Sequence, residues 1–171
     1  MGAWIIPVRL EPVECHIHAD RRLAFQVLTA FGTRQEDGGA SRVLADEGYR
    51  KLVEFLTPIP SAEHGSTTYR TVEWVTPREP EEIQFDGIEG PLALLRDRFV
   101  LLDEDGCTRF RYESTIGLRG SLIGWLVARR RVRPTLEHFM RHHVQRLKAT
   151  IEARARKSRV YPFRPCRSES V

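Results

Sequence analysis

Tyr112 and Ser114 stand two apart in "FRYESTI", with Phe110 and Ile116 at the flanking alternate positions. Alternation of this kind is the period of a strand, so these four share one face and Arg109, Arg111 and Glu113 share the other. The apolar pair marks the first face as inward. A buried tyrosine hydroxyl needs a hydrogen-bond partner, which a ligand oxygen or a neighbouring side chain can supply. His143 is a second group able to exchange a proton near neutral pH. It falls at the edge of an apolar helical stripe, beside Leu136, Phe139 and Leu147. There it reads as a satisfied boundary histidine, or as a base or hydrogen-bond partner for a ligand carbonyl. Phe55, Trp74, Phe85 and Phe99 lie on strands, with Phe139 and Met140 on a helix. Core packing is their ordinary meaning, and lining a cavity is the special one. The residue types single out no catalytic group.

Other chemistries find less support. His138 and His142 have the four-residue spacing of two zinc ligands, but Phe139 stands where a metalloprotease helix needs its glutamate. In "ECHIHAD" the parity of a strand turns Cys15 away from His16 and His18. "DEDG" lacks the first and twelfth ligands of a calcium loop, where Leu101 and Tyr112 stand, and reads as a hairpin turn. There is no Gly-x-Ser-x-Gly elbow. No metal and no cofactor is expected.

The elements that must position these residues follow from punctuation and period. "PVECHIHAD" alternates as a half-buried strand, and Asp20 can cap a short helix through "RRLAFQVLTAF" that Gly32 ends. "GTRQEDGGA" is a loop by composition. Six further strands follow at hairpin spacing: "SRVLADE", "YRKLVEFLTPI", "TTYRTVEWVT", "EIQFDGI", "LALLRDRFVLLD" and "CTRFRYESTIGL", with "SAEHGS" as one of the turns. Ser121 can cap a helix through "LIGWLVARRRV", and Pro134 kinks it or opens another at its first turn. Leu136, Met140, Val144, Leu147 and Ile151 then form one apolar stripe, with Arg141, His142, Gln145, Lys148 and Glu152 on the wet side. The expectation is an α+β fold: a seven-stranded antiparallel sheet curled around a long C-terminal helix, with a short helical segment after the first strand. One helix cannot fill so wide a concave face, so a hollow is expected between sheet and helix. Residues 1–157 read as one domain, and 158–171 as a loosely ordered basic tail.

Charge is unevenly spread. Residues 1–128 hold 14 Lys and Arg against 20 Asp and Glu, whereas residues 129–171 hold 13 against 3. A basic end beside an acidic body fits an anionic partner or a solvated helix face. Leu122, Trp125 and Leu126 precede Arg129, Arg130, Arg131 and Arg133, the residue types a helix uses at a membrane surface. The lack of an aromatic-interleaved basic motif argues against a nucleic-acid partner. Cys15, Cys107 and Cys166, odd in number and widely spaced, point to free thiols in a reducing compartment. The opening "MGAWIIPVRLEP" has no basic leader, so a cytoplasmic protein is expected.

Three segments resemble the START-like, Bet v 1-type (SRPBCC) superfamily. "VECHIHADRRLAFQVL" is similar to its opening strand and helix, with Ala19, Ala24, Phe25 and Leu28 at the matching positions. "IEGPLALLRDRFVLLDEDGCTRFRYES" resembles its Gly-Pro turn, strand and acidic-Gly hairpin, and "FMRHHVQRLKATIEAR" its closing helix. The polyketide cyclase/dehydrase and lipid-transport subgroup, which includes the coenzyme Q-binding START proteins, is the nearest in element order, over residues 10–157. "GTRQEDGGA" departs from it in lacking a tryptophan-proline step. The resemblance implies a helix-grip fold with an apolar cavity, and a protein that carries or presents a lipid, quinone or polyketide-like molecule. The alternatives are an aromatase/cyclase-type enzyme using the same cavity, and an interaction protein whose basic helix meets RNA or a ribosome.

Overall fold

The computed structural model describes residues 4–34, 38–61 and 65–166. Among the described residues eight strands form: β1 Val8–Arg9, β2 Val13–Ile17, β3 Ala40–Asp46, β4 Lys51–Ser61, β5 Gly65–Arg78, β6 Glu82–Glu89, β7 Leu94–Glu104 and β8 Cys107–Gly117. Helix α1, Arg21–Leu28, follows β2. Helices α2, Ser121–Val127, and α3, Arg133–Lys157, are joined by a π-helical stretch, Ala128–Val132. The sheet is antiparallel in the order β1-β8-β7-β6-β5-β4-β3, with β2 also paired to β8. This is the expected α+β helix-grip arrangement. The seven expected strands are all present, and β1 is an addition too short for periodicity to show. β1 and β2 are two pieces of one edge, since Val8 pairs with Ile116 and Val13 with Tyr112. Pro12, which has no N–H to donate, stands in the break between them. Residues 35–37 of the expected loop "GTRQEDGGA", 62–64 of the expected turn "SAEHGS" and 167–171 of the expected tail lie outside the described residues.

Local chemistry explains the boundaries. Asp20 accepts a hydrogen bond from the Arg22 N–H at 2.8 Å and so caps α1. That helix stops at Thr29 rather than at Gly32: Thr29 leaves the helical region at φ −102° and ψ 4°, and the next N–H, of Ala30, reaches back only three residues to the Val27 carbonyl. Between β7 and β8, Asp105 and Gly106 both take positive φ, 52° and 85°, as a tight right-twisted hairpin requires. Pro134 sits in the first turn of α3, directly after the π-helical stretch that continues into it.

The two faces of the sheet differ. Inward residues Ile17, Val53, Val75, Ile83, Leu101, Phe110 and Ile116 meet Met140, Val144 and Ile151 of α3 in one core. Outward positions carry ion pairs such as Arg96–Asp86 at 2.8 Å and Arg70–Glu54 at 2.7 Å. Exposed pairs of this kind stabilise little, but they keep the convex face wet.

Three expectations about the C-terminal end are corrected. Glu152 is buried, not on the wet side: α3 crosses the end of β2 there, the His18 N–H donates to its Oε1 at 3.0 Å, and Lys148 pairs with it at 3.0 Å. Residues 158–166 are tied down where a loose tail is expected. Phe163 packs on His18, its N–H reaches the Ala155 carbonyl, and the Arg156 guanidinium lies 4.5 Å from its ring centre. Cys107 and Cys166 are joined as a disulfide, so only Cys15 keeps a free thiol. Burial pushes the Cys15 thiol up to about 11, which keeps it protonated and unreactive. No helix among the described residues is long and apolar enough to cross a membrane.

Candidate functional site

The inward faces of three strands carry polar residues in neighbouring rows of the sheet. β7 turns Leu95, Asp97, Phe99 and Leu101 inward; β5 turns Thr71, Glu73 and Val75; β8 turns Phe110, Tyr112 and Ser114. Register then decides the neighbours. Asp97 is paired with Ser114 on one side and Phe85 on the other, and Glu73 is paired with Gly87. The Tyr112 hydroxyl donates to Asp97 Oδ2 at 2.8 Å, and the Thr71 hydroxyl donates to Glu73 Oε1. At Gly87 a methyl group would stand 2.9 Å from Leu95 Cβ. Glycine is therefore what lets the β6 backbone pass between Glu73 and Leu95.

α3 closes the cluster from the opposite side. Its His143 ring lies 6.4 Å from that of Tyr112 and stacks on Phe139 at 5.4 Å. Both Asp97 and His143 keep some residue exposure, yet Asp97 Oδ1 and His143 Nδ1 are sealed from solvent without a hydrogen-bond partner. Buried polar atoms are nearly always partnered, so these two atoms single out this interior as the candidate site.

Burial is the largest cause of the titration shift at each of four groups here. Burial raises Glu73 to about 7, against the pull of the Thr71 hydroxyl and with a push from Asp97. Burial raises Asp97 to about 6, against the hydroxyls of Ser114 and Tyr112. Burial lowers His143 to about 4, so its imidazole is neutral at pH 7. Tyr112 is held well above its ordinary value, first by burial and then by the Asp97 charge. The site thus offers one carboxyl able to hold a proton at neutral pH, one carboxylate, a phenol donor and an uncharged imidazole.

Apolar walls surround these groups. Phe31, Phe55, Phe85, Phe99 and Tyr112 form a chain of tilted and edge-to-face rings, with centroids 4.8 to 6.2 Å apart. A hollow of about 180 Å³ opens at one end, lined by Phe25, Thr29, Phe31, Lys51, Val75 and Pro77. A smaller one of about 30 Å³ lies at Thr71, Gly87 and Leu95. Val75 and Thr71 flank Glu73 on β5, so the hollows lie on either side of the polar cluster. No α3 residue lines either one, so neither is the wide hollow expected between the sheet and the C-terminal helix.

Of the residues singled out in the sequence, Phe55, Phe85, Phe99, Tyr112, Ser114, Met140 and His143 converge on this interior, with Phe139 at its rim. Trp74 does not. It pairs with Leu52 and Asp86 on the convex side, and the Arg50 guanidinium lies 3.9 Å above its ring. The reason is parity, because Glu73 and Val75 take the inward positions on either side of it. Asp97 and Glu73 escape a reading of residue types. Asp97 could have been found as the charged member of the row Leu95-Asp97-Phe99-Leu101. Glu73 offers no such signal, since β5 alternates poorly.

The fold is shared with solved proteins. TTHA0849 from Thermus thermophilus superposes with a TM-score of 0.68 at 18% identity, over 86% of this chain and 99% of that one. The Zhui aromatase/cyclase from a Streptomyces species gives 0.62 at 17% identity, over 92% and 98%. A START superfamily protein from Mycobacterium smegmatis gives 0.56 at 14% identity, over 86% and 97%. No family model matches the chain. No curated protein matches it by sequence. The chain therefore shares with these proteins the fold described above, an antiparallel sheet curled around a long C-terminal helix.

Proposed function

We propose that the protein binds an apolar small molecule carrying one oxygen-bearing end, such as an aromatic ketone or phenol, between the sheet and α3. The observation that carries this reading is the pair of sealed, unpartnered atoms, Asp97 Oδ1 and His143 Nδ1, set in an aromatic wall. A hydroxyl could donate to Asp97, and a carbonyl could accept from protonated Glu73 or from an imidazole N–H. Burial of the apolar body supplies affinity at about 25 cal/mol per Å², and the polar end fixes orientation. Small-molecule sites begin near about 300 Å³, so entry requires Phe31, Phe55 or Phe85 to swing aside. Release of an apolar cargo would use the same motion, which suits a carrier of a lipid, quinone or polyketide-like molecule. A fluorescent apolar ketone tests the proposal by titration. Saturable binding that weakens about tenfold or more on Asp97→Ala or His143→Leu, the loss of one hydrogen bond to a charged or buried group, supports it. Binding unchanged by both variants overturns it.

A second reading, an aromatase/cyclase-type enzyme, is favoured by one observation. A carboxyl raised to about 7 and an imidazole lowered to about 4 face one space, and groups pushed apart in this way are the means of acid and base catalysis. The likeness in fold to the Streptomyces aromatase/cyclase supports trying polyketide-like substrates. Loss of turnover in Glu73→Gln with probe affinity retained would establish it, and turnover absent from the wild type would exclude it for those substrates.

A further inference from the structure

We propose that α2 is a docking tip that seats the protein on an anionic lipid surface. This is independent of the ligand reading. Gly124 fixes which side of α2 faces in: a methyl group there would stand 2.6 Å from the Arg119 carbonyl oxygen, so the helix lies close against the chain that precedes it. Gly124 and Ala128, four apart, are buried. Helical period then turns the other side outward, and Leu122, Ile123, Leu126 and Val127 are 69%, 76%, 41% and 39% exposed. Four large aliphatic side chains grouped on one exposed turn are unlike the scattered apolar residues of an ordinary surface.

Charge identifies what covers them. Arg119 precedes the tip, and Arg129, Arg130 and Arg131 follow it, all four exposed. Among the described residues no carboxylate lies within ion-pair distance of any of them, although most other arginines of the sheet are paired. An aliphatic tip bordered by unneutralised arginines matches an interface in which acyl chains lie beneath acidic headgroups. Trp125, which sequence alone puts forward as the membrane residue, is half-buried against the core, with the Arg129 guanidinium 5.2 Å from its ring centre. Its place is to hold the tip, and the aliphatic residues are the ones that insert.

The test is sedimentation with phosphatidylcholine vesicles, with and without phosphatidylglycerol, at low and high salt. The expected result is partitioning onto the phosphatidylglycerol vesicles that high salt weakens. Arg130→Ala with Arg131→Ala should lower it about thirtyfold, at about 1 kcal/mol per basic residue. Ile123→Asp should lower it about tenfold or more while phosphatidylglycerol is still present. Both sets of side chains are exposed, so thermal melting should match the wild type and certify the fold. Equal partitioning on neutral vesicles, or variants that bind as the wild type does, overturns the proposal. So does a tip occupied by a second copy, seen as a dimer in sedimentation that Ile123→Asp dissociates, or by RNA in place of lipid.

Discussion

Glu73 and His143 enter the same interior with opposite responses to burial, and their pH dependence should differ in sign. The Glu73 carboxyl is raised from 4.5 to about 7, so its contribution to stability is full below pH 4.5 and is lost as pH rises through 7. Glu73→Gln should therefore equal the wild type below about pH 4 and exceed it by about 3 kcal/mol above about pH 8, at 1.36 kcal/mol per pH unit. His143 is lowered from 6.5 to about 4, so its contribution is present above 6.5 and is lost as pH falls through 4. His143→Gln should gain on the wild type on acidification, the reverse trend. Urea unfolding across pH reads both. Tyr112→Phe removes the donor to Asp97 Oδ2. The expected cost is about 1.5–3 kcal/mol, the range for a hydrogen bond to a charged group, together with an Asp97 titration moved above 6 by carbon-detected NMR.

At the scale of elements, two connections set the shape of the interior. Gly87→Ala would force a methyl group onto Leu95, 2.9 Å from its Cβ and 3.2 Å from its carbonyl oxygen. Overpacking of this kind costs about 1–3 kcal/mol, and denaturant unfolding should show it. The Cys107–Cys166 disulfide closes a loop spanning 59 residues. On loop-entropy grounds Cys166→Ala should cost up to about 4 kcal/mol, and a reducing agent should bring the wild type down to the variant's melting temperature. A variant as stable as the oxidised wild type would show that the tail contributes nothing. These elements also show where the sequence could be read. Seven strands, α1 and the α3 stripe were legible because hairpin turns and helical period are local signals. The disulfide and the packed tail were not, because Cys107 and Cys166 meet only when α3 has returned the chain to the start of β8. Asp97 is intermediate: its inward parity is local, but its pairing with Ser114 and Tyr112 depends on cross-strand register. Trp74 was misplaced for the same reason, since a residue's type does not state its side of the sheet.

For the whole molecule, one sheet face is closed by charge and the other by α3, which leaves the interior as the place where sealed polar atoms and aromatic walls coincide. The central claim is that this interior receives an apolar molecule whose polar end meets Asp97, Tyr112 and His143. The most direct measurement is an NMR titration of the wild-type protein with an apolar aromatic ketone, following the phenylalanine, Tyr112 and His143 side-chain resonances. Saturable shifts are expected at Phe55, Phe85, Phe99, Tyr112 and His143, with little change at Trp74 on the convex face. Shifts that do not saturate, or that gather on the outer face while the interior resonances stay still, would contradict it.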